Sequence, residues 1–372
     1  MRRLPFLSLG FSLLATIAAA QDSNGVTPRV VNEAAVPAVM EKAVDGFIRP
    51  GYLELMETTE ALSEASHLFC ENPSEESLGN LQLVFDDIVQ KWSTIEIVRV
   101  GPVLDGNRFE RFLFFPDRKS TGLKQVQRIL ATKDETATNP ETLKIKSVAV
   151  QGLGALEYVL YGTGAEDIAN EPNGFRCRYA AAIADNLVEV ATDLHEAWEK
   201  PDGVQADWKK PGPDNPVFRD NKEAVTALLG VLVHGVETVK DQRIRPFYAG
   251  IVNGVPDKGH PKLALYWRSG NTMPSLHTNF EALETLFDAA DMRSLLPADS
   301  KSVASSAKFV FKSLVRVSEE VDLPIDEAIV DDEQRAKLDF IVLNTDDLLQ
   351  RLNKDFGGAI GLSAGFSFSD GD

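Results

Sequence analysis

The sequence predicts an all-α protein: two helical bundles packed around a central cleft. Three observations carry this. Apolar residues recur at intervals of three and four over most of the chain, the spacing that gathers side chains on one face of a helix. No alternation of apolar and polar residues is long enough to build a sheet. Near the middle, Lys200 to Asn215 holds Pro201, Gly203, Pro211, Gly212 and Pro213 among many charges, punctuation that marks a domain boundary. The expected organisation is a signal peptide over 1–20, an N-terminal bundle over 21–200, a linker over 201–218, a C-terminal bundle over 219–356 and a coil tail over 357–372.

At the N-terminus, Arg2 and Arg3 precede an apolar run from Leu4 to Ile17 and then Ala18-Ala19-Ala20 before Gln21. This is the pattern of a secretory signal cleaved after Ala20, too short for a stable membrane span, and it predicts a soluble periplasmic protein. No cysteine follows the run to carry a lipid. The chain has 38 basic and 56 acidic residues, a net charge of −18. Such a surface repels nucleic acid and anionic lipid, so neither is an expected partner. Cys70 and Cys177 are the two cysteines. An even pair in an exported chain reads as one structural disulfide.

Helical periodicity runs over residues 29 to 47, breaks at Pro50-Gly51, resumes from Tyr52 to Phe69, and starts again after Ser74, an expected N-cap. From Ser93 to Arg118 it lapses. A long irregular segment inside a compact domain is more often functional than not. This one carries Arg99, Arg108 and Arg111, which either pair with a buried acid or hold an anionic ligand, or else pair with Glu96 and Glu110 on a solvated face. Helices are expected again at 122–130, after Asn139-Pro140, and over Phe175 to Trp198, where His195 reads as a surface or satisfied histidine.

The stretch from Ser147 to Gly162 organises the rest. Val148, Leu156, Val159 and Leu160 suit burial, with Gln151 and Glu157 as the polar exceptions. A buried carboxylate needs a cation, hydrogen-bond donors or a raised pKa. Gly152 and Gly154 weaken a helix and point to close approach of the backbone. Polar residues that flank apolar helices must find each other or a ligand, which predicts a cleft lined by Arg99, Arg111, Gln151, Glu157, Arg268 and Ser269.

This stretch resembles the signature of the imelysin-like family, Gly-x-His-x-x-Glu at the start of a core helix. Aligned on Gly152 and Glu157, the chain reads Gly-Leu-Gly-Ala-Leu-Glu, so Gly154 stands where the family has histidine. The resemblance extends to Arg99-Val-Gly-Pro102, Arg108-Phe-Glu-Arg111, Phe115-Pro-Asp117, Arg268-Ser-Gly-Asn271 and the C-terminal Gly365-Phe-Ser-Phe-Ser-Asp-Gly-Asp372. It implies an exported all-helical protein associated with iron acquisition, carrying a peptidase label, with iron or another divalent metal as the cofactor to consider.

In the second half, Val225, Leu228, Leu229, Leu232, Val236 and Val239 share one helical face, and further helices are expected near 275–290, 298–318 and 331–354. Gly154-Ala-Leu-Glu157 can be laid on His234-Gly-Val-Glu237, which suggests a tandem duplication. His234-x-x-Glu237 and His277-x-x-x-Glu281 have spacings that place both side chains on one helical face, as a surface pair or as two metal ligands. Glu157, His234 and His277 are thus the metal candidates. No second histidine completes His-Glu-x-x-His, Ser269 lacks a nucleophile-elbow context, and no phosphate-cradling glycine loop is present. No catalytic residue is assigned. Three readings stand: a binding or accessory protein associated with iron uptake, with periplasmic or outer-membrane uptake components as partners; a metallopeptidase; and a non-catalytic interaction scaffold.

Overall fold

The structure is a computed structural model that describes residues 30–362. The expected signal peptide and the segment 363–372 lie outside the described residues. The described chain is predominantly helical. Its helices are α1 (Val36–Ala43), α2 (Arg49–Glu71), α3 (Glu75–Ile95), α4 (Arg108–Phe112), α5 (Thr121–Thr132), α6 (Pro140–Leu143), α7 (Leu153–Tyr161) and α8 (Phe175–Glu199). After the proline-rich centre come α9 (Val204–Lys209), α10 (Asn221–Thr238), α11 (Thr272–Ala289), α12 (Lys301–Glu319), α13 (Ile325–Ala328), α14 (Asp332–Gln350) and α15 (Gly357–Ala359). The only strands among the described residues are β1 (Ile251–Val252) and β2 (Val255–Pro256), an antiparallel pair.

Local chemistry sets several boundaries. Ser74 begins α3 with a reciprocal cap, its hydroxyl accepting the Ser77 N–H at 3.0 Å while the Ser77 hydroxyl accepts the Ser74 N–H at 2.9 Å. The Asn139 side chain accepts the Glu141 N–H and starts α6, with Pro140 at its first position. Pro50-Gly51 does not end a helix as expected. Helix α1 passes through a π turn at Val44–Ile48 directly into α2, which loosens the hydrogen-bond register just ahead of a proline that cannot donate. Gly51 then lets Ile95 approach so closely that an added Cβ would lie 2.8 Å from its Cδ1.

Packing follows from the apolar faces. Helix α2 lies against α8 and α3; α3 also meets α11, which packs on α12, and α12 on α14. The buried side chains form one continuous core from Val31 to Leu362. Trp92 stacks on Phe112 and Tyr52 on Trp198, while Trp198 meets Trp208 of α9, itself edge-on to Phe218. The segment 201–218 therefore contributes a buried aromatic chain as well as turns.

The first helix packs far from its sequence neighbours. Helix α1 lies on α9, α10 and α11, and Asn32 ahead of it gives its backbone N–H to Leu295 O (2.9 Å) and its side-chain amide to Ser294 O (3.0 Å). The end of α2 is tied to the start of α8 by the disulfide Cys70–Cys177, with Cα atoms 5.5 Å apart, as the paired cysteines led one to expect. No helix of the described residues is long and apolar enough to cross a membrane.

Candidate functional site

Glu157 sits in the middle of α7, among Leu153, Ala155, Leu156, Tyr158, Val159 and Leu160, all buried. The helix itself begins at Leu153, later than the apolar pattern from Val148 suggested. Residues Val148–Val150 form a single 3-10 turn, and Gly152 is extended at φ −123°, ψ −170°. A Cβ at Gly152 would come within 2.5 Å of the Phe112 carbonyl oxygen and 2.6 Å of that of Arg111. Glycine is required there because the preceding segment crosses directly over it. Gly154 is different: a Cβ there would meet nothing within 4 Å, and the residue faces a cavity.

The Glu157 carboxylate is buried, and its partners come from a loop 111 and 112 residues later. Its Oε1 accepts the backbone N–H of Arg268 at 3.0 Å, the backbone N–H of Ser269 at 3.1 Å and the Ser269 hydroxyl at 3.2 Å. The Arg268 guanidinium stands 4.0 Å from Oε2. Burial pushes the carboxyl pKa above the usual glutamate range, against the pull of the Ser269 N–H and the Arg268 charge. The same loop reaches a second acid, since Asn271 Nδ2 donates to Asp86 of α3 at 2.6 Å. Burial likewise raises Asp86, which Asn271 partly offsets.

The cavity beside Glu157 encloses about 510 Å³, within the range of small-molecule sites. Its walls come from the extended segment after α4 (Phe114, Phe115, Pro116), from α5 (Leu123, Val126), from α7 (Gly154, Ala155, Tyr158) and from the loop carrying Tyr266 and Trp267. Arg118, Arg245, Lys262 and Arg268 also line it, as do Asp117 and Asp241. Both acids have protein partners. Asp117 accepts the Thr121 and Leu123 N–H groups that open α5, and Asp241 pairs with Arg245 at 3.0 Å. Arg268 lies 4.5 Å from the centre of the Trp267 ring and 5.2 Å from that of Tyr158.

Of the six residues expected to line a cleft, Glu157 and Arg268 border this cavity, and Ser269 holds Glu157 from behind. The other three lie elsewhere. Arg99 pairs with Glu110 at 3.1 Å and covers the Phe109 ring, the alternative that the sequence left open. Arg111 donates to Gln151 Oε1 (3.1 Å) and Asn186 Oδ1 (2.8 Å), and Asn186 in turn donates to the Gln151 carbonyl. This network braces the turn leading into α7, and neither Arg111 nor Gln151 borders the cavity. Nearby, a buried pair escaped sequence reasoning: Arg243 binds Glu96, whose Oε1 also accepts from Asn279 at 2.9 Å. Tyr266 is fully buried between this pair and Glu157, and its hydroxyl has no hydrogen-bond partner among the described residues.

The metal candidates do not converge. His234 Nδ1 lies 2.9 Å from Glu237, and His277 Nδ1 lies 3.1 Å from the Val315 carbonyl oxygen; neither histidine borders the cavity. Among the described residues no three His, Cys, Asp or Glu side chains cluster to hold a metal ion. A structural or catalytic zinc takes three or four protein ligands. Glu157 offers one carboxylate already bound by three donors and beside a guanidinium, and Gly154 offers no ligand, so this donor set does not fit a divalent cation.

Comparison with known proteins follows the same lines. No curated protein matches significantly. Among solved structures, an imelysin-like protein from Psychrobacter arcticum 273-4 superposes with a TM-score of 0.73 at 16% identity, over 91% of this chain and 99% of its own. A protein named "putative iron-regulated protein A precursor", from Parabacteroides distasonis ATCC 8503, superposes with a TM-score of 0.72 at 14% identity, over 89% of this chain and 96% of its own. At these identities the likeness shows the fold. The family described as Imelysin, a peptidase family by its designation, matches residues 48–352. That span includes α7, the loop that clamps Glu157 and the glycine at position 154, and the chain belongs to the imelysin family.

Proposed function

We propose that this chain is a periplasmic binding or accessory protein associated with iron uptake that uses the cavity beside Glu157. The observation that carries the reading is the state of Glu157. In a metallopeptidase that residue would face a metal and an activated water. Here it is held by two backbone N–H groups and a hydroxyl, next to a cavity of ligand size with a free position at Gly154. The name of the Parabacteroides relative, an iron-regulated protein, supports the association with iron. Partners would be other components of iron uptake.

The test is metal and activity analysis of protein purified from its native compartment, beside Glu157→Ala. The expected result is no peptide cleavage by either protein. Stoichiometric zinc or iron together with peptide cleavage, both lost in Glu157→Ala, would establish the metallopeptidase instead.

A further inference from the structure

The cavity wall has an uneven charge ledger. Each acid that borders it is engaged by the protein: Asp117 by two N–H groups of α5, Asp241 by Arg245, Glu157 by the Arg268–Ser269 loop. Two cations that border it are not. Arg118 and Lys262, both exposed, make no ion pair or hydrogen bond with the described residues, and Lys262 stands 5.8 Å from the centre of the Trp267 ring. In a chain with 56 acidic and 38 basic residues, two such cations bordering one cavity run against the composition. The same lining includes Phe114, Phe115, Tyr158 and Trp267, an apolar and aromatic surface. A free metal cation would meet two uncompensated positive charges and, at Glu157, a single carboxylate beside a guanidinium.

We propose that the cavity binds a small organic anion with an aromatic or other flat apolar body, its carboxylate or comparable acidic group drawn by the unpaired cations Arg118 and Lys262. The proposal rests on the binding-protein reading and names the ligand class for that same site. It also says in what form iron would be carried here: as an anionic chelate, with the metal held by its own organic ligands. Apolar walls supply burial, and the two cations supply orientation and selection against neutral or positive molecules. The overall negative charge of the protein repels anions at a distance, so a preference for an anion must arise locally.

The experiment is calorimetric titration of the mature protein with three probes that share one ring system: naphthoate, its neutral methyl ester and naphthylmethylammonium. Naphthoate is expected to bind at least tenfold more tightly than the other two. In the Arg118→Gln/Lys262→Gln double variant, whose native side chains make no ion pair or hydrogen bond with the described residues, naphthoate should lose about tenfold in affinity while the ester is unchanged. Equal or tighter binding of the ester or the ammonium by the natural protein would overturn the proposed ligand class and leave a binding protein standing. Binding of none of the three would overturn both readings.

Discussion

Ser269 places two donors on one oxygen of Glu157, its backbone N–H at 3.1 Å and its hydroxyl at 3.2 Å, across 112 residues of sequence. This contact fixes the loop before α11 onto α7 and defines one side of the cavity. It also makes the protonation of Glu157 a property of the fold.

Burial raises the Glu157 pKa above its ordinary value near 4.5, so the folded chain holds this proton more tightly than the unfolded one. The resulting stabilisation is fully present below the ordinary value and is lost as pH rises toward the folded one. Unfolding free energies of the natural protein and Glu157→Gln, compared across about pH 4 to 7, should diverge, with the natural protein losing ground as pH rises. A difference that stays flat would show that the donors cancel burial, and one that runs the other way that they outweigh it.

Gly152→Ala should destabilise the fold by about 1–3 kcal/mol, the usual cost of overpacking. Its Cβ would meet two backbone carbonyl oxygens, which cannot rotate away as a side chain can. Urea denaturation reads this directly. A variant as stable as the natural protein would mean that the Arg111–Phe112 backbone yields easily.

Gly154→His restores the family's His-x-x-Glu spacing on α7. The position is open, so the variant should keep its melting temperature within a few degrees while gaining zinc affinity that disappears again in Gly154→His/Glu157→Gln. Calorimetric titration with zinc decides it. A well-folded variant with no more affinity than the natural protein would show that the Arg268–Ser269 clamp alone keeps Glu157 from a metal.

Replacing both Cys70 and Cys177 with serine removes a link across 107 residues. In the chain-entropy account this costs about 4–5 kcal/mol. The far-UV helical signal at room temperature should persist while the denaturation midpoint falls. An unchanged midpoint would mean that residual structure already holds these two segments together in the unfolded chain.

Much of the helical framework was legible because apolar spacing is a local property. Ser74, Asn139 and the stripe of α8 appear where periodicity and capping chemistry put them. That Glu157 would need donors followed from desolvation, and Arg268 and Ser269 were among the residues expected to meet it. Arg99 and Arg111 were misplaced for a physical reason. Proximity in sequence to an irregular segment does not say which way its turns face: Arg99 finds Glu110 within the same segment, and Arg111 finds Gln151, 40 residues on, at the turn ahead of α7. The cavity walls escaped notice for the same cause. Phe114 to Pro116 and Tyr266 to Trp267 lie in segments without period, although the lapse in periodicity before Arg118 did mark the right region. Pro50 misled because a single π turn is invisible in a pattern of apolar residues.

The seating of Asn32 and α1 on the segment around Leu295 sets an order of assembly. The two hydrogen-bonded sites are more than 260 residues apart, so their union belongs to the late, non-local part of folding. A chain emerging N-terminus first, whether from a ribosome or a translocation pore, presents Val36, Val39, Met40 and Val44 long before their cover exists. Helix α1 is therefore among the last elements to become native, and its apolar strip stays open until α10 and α11 have been made.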